Sequence, residues 1–285
     1  MDLKQAVAAV SVAGLLGATS QLLAAPAERV ALVLQTQDAT PQVRQGKAKR
    51  FGGILGCARG IYQEEGLAAF WRGSGARFIQ NLPTPLLSLV VSNIVQRLTP
   101  RSHLDVLLTA SLTVAAVYPL EVAYTQQAAA RGPAAPAAGL VETLSRAASA
   151  GAGQLFEGVG LAVASLVAYR VLYSEVVMAA AMLNPLKGGD ETKGTVGALV
   201  AAQVAMLVLK AVTHPLETLG RRVQVQIGKK GGDRVYFGTL DCASKTFAEE
   251  GIAGFYKGFW ASSLKTVGTA VMLVVVSKNQ GRSPR

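Results

Sequence analysis

The stretch that decides the fold is His214–Gln226, which reads HPLETLGRRVQVQ. It ends a long apolar run, and its proline comes where a helix would otherwise continue. Closely similar stretches are Ala25–Gln35, APAERVALVLQ, and Tyr118–Gln127, YPLEVAYTQQ. The three prolines lie 93 and 96 residues apart, and each stands two residues before a glutamate. A motif that recurs three times at one period indicates three copies of one structural unit.

A second, glycine-containing motif follows each proline motif. Glu65–Gly73 reads EGLAAFWRG and Glu250–Gly258 reads EGIAGFYKG. The middle copy, Gly151–Gly158, reads GAGQLFEG; Ala150 stands where the other copies have an acid, and Glu157 replaces the basic residue. The sequence therefore predicts three repeats, of which the second is degenerate. Their predicted bounds are residues 1–100, 101–190 and 191–285.

These motifs resemble those of the mitochondrial carrier family, Px[DE]xx[KR] followed by a short helix and [DE]Gxxxx[WYF][KR]G. The resemblance extends from about Val7 to Val276, and within the family it is nearest to ADP/ATP carriers. It implies an all-α membrane protein of the mitochondrial inner membrane. In that fold, three tandem repeats, each of two transmembrane helices and a short matrix helix, form a six-helix bundle with pseudo-threefold symmetry.

The composition agrees with a membrane protein. Of the 285 residues, 51% are hydrophobic and 16% charged, and the mean hydropathy is +0.35; soluble domains carry about 25% charged residues. Spanning helices need roughly 20 mostly apolar residues. Six segments qualify, at about 4–35, 74–98, 104–130, 159–184, 194–226 and 259–279. The net charge of +11 indicates lipid headgroups rather than nucleic acid, because the basic residues are scattered and flank apolar spans.

By resemblance, the carboxylates of the proline motifs form a gate on the matrix side. Each pairs with a basic residue three positions later in the neighbouring repeat. The gate motifs here are Pro26 with Glu28, Pro119 with Glu121, and Pro215 with Glu217. The three basic positions hold Ala31, Tyr124 and Gly220 instead. Arg29, Arg221 and Arg222 lie nearby, but an offset of one residue turns a side chain by about 100° around a helix. They can still reach a carboxylate, though not in the geometry of the family.

The opposite gate of the family uses [FY][DE]xx[KR] near the ends of the even-numbered helices. Its acidic positions become Asn93, Met178 and Ser277, and its basic positions become Gln96, Ala181 and Gln280. No ion pair of the family's kind is therefore expected there.

The candidate substrate residues follow from the same resemblance. Positions that hold nucleotide phosphates in ADP/ATP carriers align with Gln21, Gln80 and Lys265. Tyr169 and Arg170, in the fourth predicted span at 159–184, match the family as well. Lys210 stands five residues before a gate proline and is expected to project into the same cavity. Charged residues inside a membrane are functional candidates. The alternative for Arg170 and Lys210 is a structural ion pair with Glu121, Glu217 or Glu175.

Glycines at helix starts provide a further expectation. Gly53, Gly73, Gly238 and Gly258 precede helices whose free N–H groups attract anions, and related carriers hold cardiolipin at such motifs. Bound cardiolipin is the one cofactor that we expect. Cys57 and Cys242 occupy equivalent places in two repeats, so they mark the repeat and are not expected to bind a metal.

Two functions remain open. In the first, the gate carboxylates lack partners, and the chain is a carrier-fold accessory subunit of a larger inner-membrane complex that has lost ADP/ATP transport. Its partners would be membrane lipids and other inner-membrane subunits, with no nucleic acid, and the neutral substrate positions argue against nucleotide binding. In the second, it is an active carrier that exchanges nucleotides or another small anion. No nucleophile–base motif, metal cluster or phosphate loop indicates an enzyme.

Overall fold

The computed structural model describes residues 21–99, 104–132, 139–182, 191–229 and 231–264. Within these ranges the chain is built from helices and contains no strand. The all-α fold predicted from the sequence is therefore confirmed. The predictions for the first and last spanning helices fall partly outside the described ranges.

Three long helices carry the proline motifs. They are α1 (residues 21–36), α6 (Asp105–Ala129) and α10 (Glu191–Gln224), and each continues through its proline. Proline removes one backbone hydrogen bond from a helix, so each long helix is weakened near its gate glutamate. The ends of these helices that carry the three glutamates meet one another, and we refer to this end of the bundle as the gated end.

The second helix of the first repeat is interrupted. A single span at 74–98 is predicted, but the structure divides it into α4 (Ser74–Asn81) and α5 (Thr84–Leu98). Pro83 lies at the division and Pro85 follows it, and two prolines so close together remove two backbone hydrogen bonds from the same turn. Thr84 Oγ1 donates a hydrogen bond to the Gln80 carbonyl across the break.

The remaining helices are short connectors and one further long helix. They are α2 (Pro41–Arg44), α3 (Ile54–Glu65), α7 (Leu140–Ser149), α8 (Ala152–Leu155), α9 (Val159–Met182), α11 (Thr239–Glu250) and α12 (Ile252–Phe255). Short 3-10 turns lie at Gln37–Ala39, Leu67–Trp71 and Gly231–Asp233.

The short helices α3 and α11 pack on the proline helices through equivalent residues. Cys57 and Ile61 of α3 are buried against Val33 of α1, and Cys242 of α11 lies in a cluster with Val223 of α10. Burial raises the pKa of both thiols to about 12, because a thiolate is disfavoured away from water. The two cysteines are thus inert core residues.

Two of the three repeats join their motifs by a buried ion pair. Arg29 Nη2 lies 2.7 Å from Glu65 Oε2, and Arg222 Nη1 lies 2.5 Å from Glu250 Oε1. The second repeat lacks the acid. There the Tyr118 hydroxyl donates to the Glu157 carbonyl at 2.7 Å instead. This replacement explains how the degenerate repeat keeps its two motifs together.

Three described segments are long and apolar enough to cross a membrane. They are Leu67–Leu98, Asp105–Ala129 and Ala152–Tyr173. They agree with the predicted spans at 74–98, 104–130 and 159–184. Multiple membrane spans are therefore supported within the part of the chain that the structure describes.

Candidate functional site

The gated end is closed by contacts between the proline helices. The Tyr124 hydroxyl on α6 donates a hydrogen bond to Glu28 Oε2 on α1 at 3.1 Å. Tyr124 occupies the position where the family has a basic residue. A phenol therefore joins the first two repeats at the place predicted to have lost its contact.

The second carboxylate also has a partner in the neighbouring repeat. Arg221 Nη2 on α10 lies 3.8 Å from Glu121 Oε1 on α6. Arg221 Nη1 also donates to Thr125 Oγ1 at 2.9 Å. Despite the one-residue offset from the family position, the long arginine side chain reaches α6 and holds the second and third repeats together.

The third carboxylate is paired within its own helix. Lys210 Nζ donates to Glu217 Oε2, and Arg221 Nη2 lies 3.9 Å from the other oxygen of this carboxylate. Helix α10 is joined to α1 by Arg222, whose Nε donates to the Gln35 carbonyl at 2.9 Å. All three gate glutamates thus have polar partners, and the expectation that they lack them is wrong. Ion pairing of Lys210 with Glu217, one of the predicted alternatives, is confirmed.

A cavity of about 360 Å³ lies between α6, α9 and α10. Lys210, Glu217 and Arg221 line it, together with Tyr169 on the facing helix. Tyr169 also lies against Tyr173, with ring centroids 5.7 Å apart. Glu121 lines it as well, so the cavity combines two cations, two carboxylates and aromatic surface. An anion that carries a flat apolar group would bind there in competition with the two carboxylates.

Arg170 does not contribute to this cavity. Its side chain is exposed and is absent from the lining residues. Among the described residues no carboxylate lies within 4.0 Å of it, so the predicted structural ion pair of Arg170 is not formed there. Because α9 turns by about 100° per residue, Tyr169 and Arg170 lie on different faces.

A smaller cavity of about 100 Å³ continues to the gate, and Arg77 on α4 lines it beside Lys210 and Arg221. The Arg77 guanidinium carbon lies 4.0 Å from the centre of the Tyr124 ring. Arg77 Nη1 donates to Gln80 Oε1 at 3.1 Å, and its Nε is buried without a hydrogen-bond partner. Sequence analysis missed Arg77; its position one turn before Gln80 on the same helix is the signal that could have found it.

The other predicted substrate residues are placed differently. Gln80 is buried and contacts the cavity through Arg77. Gln21 lies on α1 and is half-buried. Lys265 lies outside the described residues.

The structure brings together two of the four predicted lipid-binding glycines. Gly53, before α3, and Gly258 line one groove of about 620 Å³ with Trp260. Gly73 lies against α6, where an added Cβ would come within 3.1 Å of the Tyr124 carbonyl oxygen. Gly238 lies at the boundary of the second and third repeats, where a Cβ would lie 3.8 Å from Glu157 Oε1.

The opposite gate is neutral at its described positions. Asn93 Nδ2 donates to the Leu89 carbonyl at 3.0 Å, and Gln96 Nε2 donates to Ser92 Oγ at 3.3 Å. Both contacts stay within α5. Met178 is 52% exposed, and the predicted positions Ser277 and Gln280 lie outside the described residues.

Comparison with known proteins agrees with this architecture. The family described as "Mitochondrial carrier protein" matches residues 3–103 and 191–280. The chain is 32% identical to an ADP,ATP carrier protein of Parachlorella kessleri, over 92% of this chain and 80% of that protein. It is 31% identical to ADP/ATP translocase 3 of Homo sapiens and to ADP/ATP translocase 2 of Bos taurus, over 92% of each chain.

The chain belongs to the mitochondrial carrier family. Proteins of this family cross the inner mitochondrial membrane several times and are transporters. The resemblance to the family stated from the motifs is therefore confirmed.

Proposed function

We propose that this protein is an active carrier of the mitochondrial inner membrane and that it exchanges small phosphate-bearing anions, nucleotides first among them. The observation that supports the proposal most is the closed gate beneath cavities in which cations and the gate carboxylates lie together. A gate whose carboxylates have new partners can still open and close. The similarity to proteins named ADP/ATP carriers makes adenine nucleotides the first substrates to test.

Three cations would hold the phosphates. Arg77, Lys210 and Arg221 line the small cavity above the gate, where the gate carboxylates Glu28 and Glu217 face them. Hydrogen bonds between charged groups are about twice as strong as neutral ones. Arg77 would take the role that the neutral Gln80 cannot fill, since it lies one helical turn away and its guanidinium is already oriented by Gln80.

Substrate binding would also loosen the gate. Lys210 and Arg221 both contact Glu217, and Arg221 also bridges to Glu121. An anion in the cavity would compete with these carboxylates for the same two cations. A ligand shifts a conformational equilibrium by its different affinity for the two states, and this competition supplies such a difference.

Counter-exchange in liposomes tests the proposal. The purified chain, reconstituted with cardiolipin and loaded with ADP, should take up labelled ATP saturably and only when counter-substrate is inside. Lys210→Gln should reduce uptake about tenfold or more, because one charge-assisted hydrogen bond is worth about 1.5–3 kcal/mol. Arg97→Gln is the matched control, because Arg97 is exposed at the end of α5. Absence of exchange by the unmodified chain, with folding verified, would contradict the proposal.

The second candidate function is the accessory subunit of a larger inner-membrane complex. The neutral opposite gate favours it, because Asn93 and Gln96 form no contact between repeats in the described part of the chain. The two functions differ in one measurement. A subunit should migrate within a large complex after extraction of its native membrane with mild detergent, whereas a carrier should migrate alone.

Cardiolipin is the proposed lipid ligand. The groove at Gly53 and Gly258 joins the start of α3 to the neighbouring repeat, and the free N–H groups at a helix start bind phosphate. Native mass spectrometry should find cardiolipin retained on the purified protein. Gly53→Leu, which would fill the groove entrance, should reduce the number retained, whereas Gly75→Ala should not.

A further inference from the structure

A third cavity lies at the gated end, on the side of the gate that faces away from the two transport cavities. It shares no lining residue with either of them. Its volume is about 680 Å³, within the range of about 300–1,000 Å³ typical of small-molecule sites. All three repeats line it. The first contributes Thr40 and Ala48, the second Arg131 and Arg146, and the third Lys229 and Asp233. We refer to this cavity as the vestibule.

The walls of the vestibule are fixed by hydrogen bonds between the repeats. Gln126 Nε2 on α6 donates to the carbonyls of Gln224 and Ile227, at 3.0 and 2.8 Å. Gln226 is fully buried; its Nε2 donates to the Ala39 carbonyl at 2.7 Å. The cavity is therefore formed by ordered backbone from all three repeats.

Cations outnumber acids on the vestibule walls, with Asp233 as the single acid against Arg131, Arg146 and Lys229. Arg146 is satisfied by Glu142, 2.8 Å away on the same helix. Arg131 is held in place by its Nη2, which donates to the Lys49 carbonyl at 2.8 Å. Its Nη1 is buried without a hydrogen-bond partner.

Lys229 is a second vestibule cation without a carboxylate partner in the described part of the chain. Among the described residues, no carboxylate oxygen lies within 4.0 Å of its Nζ. Burial lowers the pKa of Lys229 to about 8, while Asp233 opposes the shift. Two cations without carboxylate partners that line one cavity cost free energy, because they are partly removed from water. A bound anion would remove that cost.

We propose that the vestibule binds a soluble, phosphate-bearing anion, with Lys229 and Arg131 as its principal contacts. A polyphosphate presents several charged oxygens and matches both a guanidinium and an ammonium group. Because the vestibule walls come from three repeats, the ligand binds only while the repeats are together. It would hold the gated end closed, and the binding site does not depend on what the protein transports.

Calorimetric titration of the purified full chain with tripolyphosphate tests the proposal. Lys229→Gln and Arg131→Gln should each raise the dissociation constant for tripolyphosphate about tenfold or more. Lys229→Arg keeps the charge and should retain binding, which separates a lost contact from lost folding. Arg59→Gln is the matched control, since Arg59 is an exposed cation on α3 outside the vestibule. In Lys210→Gln, which removes a cation of the transport cavity, the vestibule binding step should remain, and adding Lys229→Gln to that variant should remove it.

Three results would overturn the proposal. The first is no binding of tripolyphosphate to the unmodified chain. The second is binding that is lost in Lys210→Gln but kept in Lys229→Gln, which would place the anion in the transport cavity. The third is competition by added cardiolipin, which would assign the vestibule to a lipid headgroup rather than to a soluble ligand.

Discussion

The guanidinium of Arg77 stacks on the ring of Tyr124, with 4.0 Å between the guanidinium carbon and the ring centre. Tyr124 in turn donates to Glu28. Arg77, Tyr124 and Glu28 therefore form one unit: the tyrosine that replaces a basic gate residue provides a surface for the cation that lines the small cavity.

This unit predicts that restoring the family residue at the gate will be harmful. Tyr124→Lys places an ammonium beside Arg77 and removes the cation–π contact, which is worth about 0.5–2 kcal/mol. We expect a lower melting temperature in detergent. The double variant Tyr124→Lys with Arg77→Asn should recover most of the loss, because it removes the repulsion. Equal melting temperatures for the single variant and the unmodified chain would contradict this.

A second prediction concerns the polarity of one contact between repeats. Arg234 Nη2 lies 2.6 Å from Glu157 Oε2, and both side chains are mostly buried. Glu157→Lys should lower the free energy of unfolding by about 3–5 kcal/mol, because it leaves a charge without its partner. Adding Arg234→Glu should restore much of it. Independent, additive losses in the two single variants and their double would show that the contact is energetically unimportant.

The buried cysteines give a prediction about reactivity and pH. The pKa of Cys57 and of Cys242 is raised to about 12 from a reference of 9.0. At pH 8 the folded thiols should therefore resist maleimide reagents, and labelling should follow thermal unfolding. The unfolded chain releases these protons near pH 9 and the folded chain only near 12. Their contribution to stability is present below pH 9 and is lost as the pH rises toward 12. Rapid labelling of the folded protein at pH 8 would be the contrary result.

A fourth prediction contrasts two glycines. At Gly258, where φ is +75°, an added Cβ would lie 2.6 Å from the Ala31 carbonyl oxygen of α1. Gly258→Ala should therefore destabilise the protein by about 1–3 kcal/mol. Gly75 lies inside α4 with open space around it, and Gly75→Ala should stabilise by about 0.5–1 kcal/mol. Thermal unfolding of both variants checks the opposite signs.

The fold could be predicted from the sequence because its signal is redundant. Each proline motif and each glycine motif occurs more than once, so the loss of an acid at Ala150 does not hide the unit. The apolar segments around 84–98 and 105–129 are independent evidence for spans. The exact limits of the three repeats stay predictions.

The site was harder to predict because the family motif specifies only which positions hold charged residues, and not which side chains meet in the fold. In the sequence, Tyr124 indicates the loss of a basic gate residue. In the structure, its hydroxyl donates a hydrogen bond to the gate carboxylate of Glu28. Arg221 is one residue out of register, and only the structure shows that, of the carboxylates within its reach, it lies near Glu121 and Glu217. Arg77 matches no family position, and only the fold places it on the Tyr124 ring. Side-chain reach and contacts between distant residues are not encoded in spacing.

The last glycine of each glycine motif is preceded by a charged residue, and these three residues contact the neighbouring repeat. They are Arg72, Glu157 and Lys257. Lys257 bonds to Asp38 at 2.7 Å and Glu157 to Arg234, while Arg72 donates to the Ala130 carbonyl. In the reversed cyclic order, Glu157 would face Asp38 and Arg72 would face Arg234, so like charges would meet at two boundaries. The charges at these boundaries therefore specify the order of the repeats, because each attracts one neighbouring repeat and repels the other. A circular permutant that keeps the order should assemble, and one with two repeats exchanged should not. In a ring of three identical units every boundary would be the same, so such contacts could not specify an order.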